Sequence, residues 1–271
     1  MTDHVTLTLR APLTGAVDLD CVVPDQIARL TEAEIAALPV WSGRQQGSLG
    51  DWFDVRGARS ARVRIAGDVG LGNGIGTAMT AGELMIDSGV RGRVGAGMTG
   101  GSIEVRGSAG DDVGAGMTGG SIHVRGDAGD RVGGANAGAS RGVTGGDIVI
   151  DGSVGSDAGD RMRRGLLFVG GRAGDRPARS IIAGTVIVLG DTGAEPATGS
   201  KRGSLVVGGR VEVPETYRYA CTFDAPHVRL ALTHVARRYG VHVDPRFVTG
   251  PYRRYSGDAG TVARGEILQC V

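Results

Sequence analysis

Apolar residues recur along this chain in short alternating runs, each opened by a small residue. The runs are ARVRI at 61–65, GELMI at 82–86, GSIEV at 101–105, GSIHV at 120–124, GDIVI at 146–150, GLLFV at 165–169, GTVIV at 184–188 and GSLVV at 203–207. Alternation puts residues i and i+2 on one face of a strand. The first inward residue of each run is Val63, Leu84, Ile103, Ile122, Ile148, Leu167, Val186 and Leu205, giving steps of 21, 19, 19, 26, 19, 19 and 19. The long step carries an insertion, GGANAGASRG at 133–142. Nineteen residues are too few for a βαβ unit or a propeller blade. The period therefore predicts an all-β chain wound as a single-stranded parallel β-helix of about eight coils; a right-handed coil is the expectation adopted, although the period does not dictate the hand. At the usual strand spacing such a stack is roughly 40 Å long.

Each run is followed by a glycine turn, often Ala-Gly-Asp (109–111, 128–130, 158–160, 173–175), and the segment VGAGMTGG occurs at both 94–101 and 113–120. Between the inward residues lies one outward position. It reads Arg64, Met85, Glu104 and His123, then Val149, Phe168, Ile187 and Val206. The first four predict a solvated face and the last four, with Leu166 and Leu189 beside them, an apolar strip that must be covered. Residues 225–240 supply a cover: Val228, Leu232, Val235 and Tyr239 recur at helical spacing. A partner subunit is the other candidate.

The flanks predict caps. Residues 5–9 alternate as a strand, Pro24-Asp25 opens a short helix, and Thr31-Glu32-Ala33-Glu34 reads as a second helix start. Trp41, Trp52 and Phe53 are expected to close the N-terminal mouth of the stack. Residues 241–271 hold two strand-like pieces. The expected division is an N-terminal cap region at 1–60, the β-helix at 61–215, and a C-terminal helix and tail at 216–271.

Composition sharpens this reading. Fifty of 271 residues are glycine and only 4% are aromatic, which suits a thin aliphatic interior with tight corners. A net charge of +1 gives no reason to expect nucleic-acid binding. Three scattered cysteines (Cys21, Cys221, Cys270) argue against a disulfide framework and fit a reducing compartment. MTDHVTLTLR lacks the pattern of a secretory signal, and no run of 18 apolar residues occurs. The expected location is the cytoplasm, with no membrane contact.

Candidate chemistry is sparse. His227 and His234 share a helix face without a nearby carboxylate or cysteine cluster, so they read as surface or filling residues. His123 is expected in solvent or at an interface. Gly72-Asn73-Gly74-Ile75-Gly76 and the GAGMTGG segments do not sit between a strand and a helix and lack Gly-Lys-Ser/Thr. The Asp residues of Ala-Gly-Asp lack the calcium nonapeptide. Asp130-Arg131, Asp160-Arg161 and Asp175-Arg176 predict an exposed charge ladder along one corner. No nucleophile motif is present. The expectation is no catalytic residue and no metal ligand. Arg106 and Arg125, in successive coils, are the candidates for contact with an anionic ligand tail or partner.

The glycine-rich array resembles the GXGXG domain of glutamate synthase large chains. More closely, the chain resembles the C-type subunit of the formylmethanofuran dehydrogenase family. The points of likeness are Pro24-Asp25, LGDWFDV at 49–55, the paired VGAGMTGG segments, VGGANAGASRGVTGG at 132–146 and GSLVVGG at 203–209. They extend over roughly residues 1–240. Only Lys201 among thirty basic residues is lysine, a bias that resembles GC-rich bacteria and hence the formyltransferase/hydrolase complex of methylotrophs. The resemblance implies a non-catalytic structural subunit of a higher hetero-oligomer. Its companions would be a metal-dependent hydrolase, a formyltransferase and a B-type chain. The complex passes a formyl group from tetrahydromethanopterin to a methanofuran-type cofactor and hydrolyses it to formate. Both cofactors would sit on other subunits, with none bound by this chain. The alternatives are the C-type subunit of an archaeal tungsten or molybdenum formylmethanofuran dehydrogenase, a GXGXG scaffold partner of a glutamate synthase, and a β-helix acyltransferase.

Overall fold

The structure is a computed structural model that describes residues 4–262 and 264–271; the first three residues of the expected N-terminal cap lie outside it. The N-terminal segment forms β1 (Val5–Leu9), β2 (Val17–Asp18), α1 (Pro24–Ile27), α2 (Glu32–Ala36), β3 (Pro39–Ser42), β4 (Gln45–Ser48), α3 (Leu49–Trp52) and β5 (Phe53–Arg56). The repeats supply β6 (Arg62–Ala66), β7 (Gly72–Asn73), β8 (Glu83–Ile86), β9 (Val90–Gly92), β10 (Ser102–Val105) and β11 (Ala109–Asp111). They continue with β12 (Ser121–Val124), β13 (Asp147–Ile150), β14 (Leu166–Val169), β15 (Thr185–Val188) and β16 (Ser204–Val207). The C-terminal segment adds β17 (Arg218–Asp224), α4 (Pro226–Tyr239), α5 (Pro245–Thr249), β18 (Pro251–Gly257) and β19 (Gly265–Cys270).

These strands correct the expected fold. In place of a single-stranded right-handed β-helix there are two mixed sheets, one of thirteen strands and one of six. The larger runs β17-β18-β19-β16-β15-β14-β13-β12-β10-β8-β6-β1-β5, and the smaller runs β11-β9-β7-β2-β3-β4. Most neighbours are parallel, but β1–β5, β2–β3, β3–β4, β17–β18 and β18–β19 are antiparallel. The physical reason lies at the chain ends. A period dictates which residues of successive repeats meet, whereas the flanking segments satisfy the open strand edges by adding strands in either direction.

Within the larger sheet the periodic residues do face one another. Val63 lies opposite Leu84, Leu84 opposite Ile103, and Ile103 opposite Ile122. The series continues across the long step to Ile148, Leu167, Val186 and Leu205, all buried. The insertion at 133–142 is looped out without disturbing register. Glycine is required where neighbouring repeats approach closely: at Gly114, with a left-handed φ of +63°, an added Cβ would meet the Ile148 side chain at 2.4 Å.

Side chains add rungs between repeats. The Ala-Gly-Asp aspartates Asp111, Asp130 and Asp175 accept hydrogen bonds from the backbone N–H of Asp130, Ser156 and Ala194 at 2.9, 2.7 and 2.9 Å. The charge ladder runs from one repeat to the next. Arg131 pairs with Asp112 of the preceding repeat at 2.8 Å, and Arg176 grips both oxygens of Asp157 at 2.9 Å. Arg161 does approach its sequence neighbour, Asp160, but only to 3.8 Å. The Arg176 hydrogen bonds, with Arg179 beside them, hold the Asp157 carboxyl below the usual range although partial burial opposes this.

The outward strip is covered from within the chain. Val149, Phe168, Ile187 and Val206 are buried in a second core with Val228, Leu232 and Val235 of α4, Phe247 of α5 and Tyr252 of β18. At the other end Phe53 is buried, but Trp41 is 46% exposed on β3 of the smaller sheet, so it does not close the mouth of the stack. Thr31 caps α2 through a reciprocal pair with Glu34.

Phe168→Ala is expected to cost about 3–5 kcal/mol in urea unfolding, as large-to-small changes in a closed core do; a loss near zero would show that α4 is not seated on the strip. Because Asp157 has a lowered folded pKa, its contribution is complete above the unfolded carboxylate value near 4 and fades as pH falls through it. Asp157→Asn should lower the thermal midpoint at pH 7 and flatten its decline below about pH 4.

Candidate functional site

Register aligns Arg64, Met85, Glu104 and His123 in one row across β6, β8, β10 and β12. The next residue in that row, Val149, is where the cover by α4 begins. The uncovered part forms a groove of about 560 Å³, bounded by His4 at one end and by Arg238 and Tyr239 of α4 at the other. It is the outer face of ordered strands, so its side chains are fixed by the same stacking that builds the core.

Ion pairs within the chain hold the arginines at the centre of the groove, while Arg238 at its end lies against Tyr239. Asp87 holds Arg64 at 2.8 Å and Arg106 at 3.1 Å. Arg125 meets Glu104 at 3.0 Å and Asp151 at 3.7 Å, and donates to the main-chain oxygen of Tyr239 at 3.4 Å. Arg106 and Arg125, the two arginines singled out from the sequence, thus share one groove, each with a carboxylate partner and roughly half exposed.

His123 departs from expectation. It is 5% exposed, with Nε2 at 2.8 Å from Asp151 and its ring edge-on to Tyr239. The Tyr239 hydroxyl donates to Asp147 at 2.9 Å, and Nε2 of His234 lies 2.8 Å from the same carboxylate oxygen. Burial pushes the Tyr239 phenol up to about 12, and the Asp147 charge and hydrogen bond add to this. The phenol therefore stays protonated near neutrality and works as a donor that ties the last turn of α4 to β13. His227 instead stacks on Phe223 and lies 3.9 Å from Glu266, so the two helix histidines serve different carboxylates.

Sequence reading missed Asp87, Asp147 and Asp151. Their signal was positional: each stands two residues from an outward position, Asp87 and Asp151 just past β8 and β13 and Asp147 as the first residue of β13. The arrangement as a whole can present fixed guanidinium groups. Burial raises the Cys21 thiol to about 11 and also raises the Cys270 thiol. Among the described residues no three His, Cys, Asp or Glu side chains are grouped to hold a metal ion, and no helix is long and apolar enough to cross a membrane.

Tyr239→Phe is expected to destabilise the chain by about 1–2 kcal/mol through loss of the hydrogen bond to a carboxylate, with faster amide exchange confined to the last turn of α4. Unchanged exchange there would show that the helix end is held by other contacts.

No protein-family model matches this chain, and neither does any curated protein. Among solved structures it is similar to a chain of the formyltransferase/hydrolase complex (FhcABCD) from Methylorubrum extorquens, determined in complex with methylofuran. The two are 37% identical, superpose with a TM-score of 0.90, and the match covers 98% of this chain and 99% of the other.

Proposed function

The chain belongs to the family of subunits that build formyltransferase/hydrolase complexes, and from that premise we propose that it is the C-type, non-catalytic structural subunit of such a complex. The complex would move a formyl group from tetrahydromethanopterin to a methanofuran-type cofactor and release it as formate. The single observation that carries this reading is the end-to-end likeness to one chain of the Methylorubrum complex.

Physical considerations support a structural role. Eight repeats stacked at strand spacing present a rigid face about 40 Å long. Holding two active sites at fixed separation sets the effective concentration at which a tethered carrier meets each of them. Acid–base or nucleophilic chemistry needs convergent groups free to act. In the groove the arginines are bound to carboxylates, His123 to Asp151, and Tyr239 to Asp147.

The donor set also fits a methanofuran-type or pterin cofactor poorly. The groove is open along its length, so it does not enclose the reacting end of a carrier. We therefore place both cofactors on the companion chains: a formyltransferase, a metal-dependent hydrolase and a B-type chain. Arg106 and Arg125 keep exposed N–H groups and are assigned to contact with anionic groups of a companion.

Affinity purification of the tagged chain from its native cells, followed by mass spectrometry, tests the assignment. Formyltransferase-type and hydrolase-type chains are expected in fixed ratio, with formyl transfer and hydrolysis in the complex and none in the isolated chain. Arg106→Gln with Arg125→Gln should lower companion recovery several-fold. Co-purification with a glutaminase-type chain instead, or turnover of a formylated compound by this chain alone, would overturn the reading.

A further inference from the structure

We propose that the open half of the outer face seats an acidic amphipathic helix from a companion chain, laid end to end with α4; this rests on the structural-subunit reading above. The face is already a helix track. With fourteen residues, α4 is about 21 Å long, just over four strand spacings of ~4.8 Å. It covers the row from Val206 to Val149, reaches His123 through Tyr239, and stops at Gly240 in the left-handed conformation. Beyond it the same face continues over β12, β10, β8 and β6. That is three further spacings, or about 14 Å, the length of a helix of about ten residues.

The chemistry of the open half identifies its occupant. Met85 is half-buried at the centre of the row, a single apolar anchor where α4 has a full strip. Around it, the Arg64, Arg106 and Arg125 side chains are 46%, 48% and 40% exposed, whereas their partners Asp87, Glu104 and Asp151 are 19%, 34% and 26% exposed. Glu83, 61% exposed, stands beside Arg62 at the rim, but Asp87, Glu104 and Asp151 lie deeper than the arginines they hold, so the centre of the groove presents mainly guanidinium groups. Arg64 and Arg106 are held in place by the shared Asp87, and Arg125 by Glu104 and Asp151, which reduces the entropy lost when they engage a further carboxylate.

A helix continues the track that α4 already occupies on this face. Arg64 and Arg106 converge on the one Asp87 carboxylate, at 2.8 and 3.1 Å, so acids one helical turn apart, about 6 Å along the axis, reach both.

The test places the photo-crosslinker p-benzoylphenylalanine at Met85, and separately at Ser102, in the complete co-expressed complex, and identifies the linked peptide by mass spectrometry. The expected product joins this chain to a helical companion segment with acidic residues on the crosslinked face. Arg64→Glu with Arg106→Glu should reduce companion recovery at least tenfold, and reversing those companion acids to arginine should restore it, which separates lost contact from misfolding. Crosslinking to a second copy of this chain, to a cofactor, or to no polypeptide while the companions remain bound would overturn the helix proposal alone. Absence of any companion from the unmodified complex would overturn the structural-subunit reading with it.

Discussion

The contact between one repeat and the next is the interaction on which the rest of this molecule depends. A four-residue strand such as β10 has no core of its own and leaves both backbone edges open. Stacking β8 and β12 on either side pairs those edges and closes Ile103 between Leu84 and Ile122. The turns are stapled in the same direction, because the Ala-Gly-Asp carboxylates accept backbone N–H groups one repeat on. Hydrophobic burial and hydrogen bonding therefore share one geometric requirement, and stability is built from nearest-neighbour interfaces.

A repetitive stack needs protection against pairing the wrong repeats, since apolar residues alone fit at any multiple of the period. One row supplies it. Arg93, Asp112, Arg131, Asp157, Arg176 and Glu195 occupy equivalent left-handed positions and alternate in charge. Slipping the stack by one repeat places like charges together, which disfavours the error more than each exposed pair stabilises the correct state. The insertion between β12 and β13 also occurs at one step only.

Much of this order was legible in the sequence because stacking converts period directly into contact. The facing series from Val63 to Leu205 and the cover of Val149, Phe168, Ile187 and Val206 by α4 follow from spacing and polarity. The sheet architecture did not follow. Period carries no information about β1–β5 or β17–β19, and those flanking segments bring the antiparallel pairs into both sheets. The partners of Arg131 and Arg176 were not legible for a related reason. Sequence neighbours diverge at a left-handed turn, whereas residues one repeat apart point the same way. The candidate groove was half legible: Arg106 and Arg125 stood out, but the burial of His123 depended on Asp151 and Tyr239, which lie far from it in sequence.

The physical picture is of a chain that invests its interior in rigidity and leaves its outer face to neighbours, part of it already covered by α4. A side-chain-resolution cryo-EM map of the native complex tests that picture most directly. The account predicts the surface of β6 through β12 closed off by a companion polypeptide, with the formyl carrier held elsewhere. The same surface bathed in solvent, or lined by the carrier at the point of reaction, would contradict it.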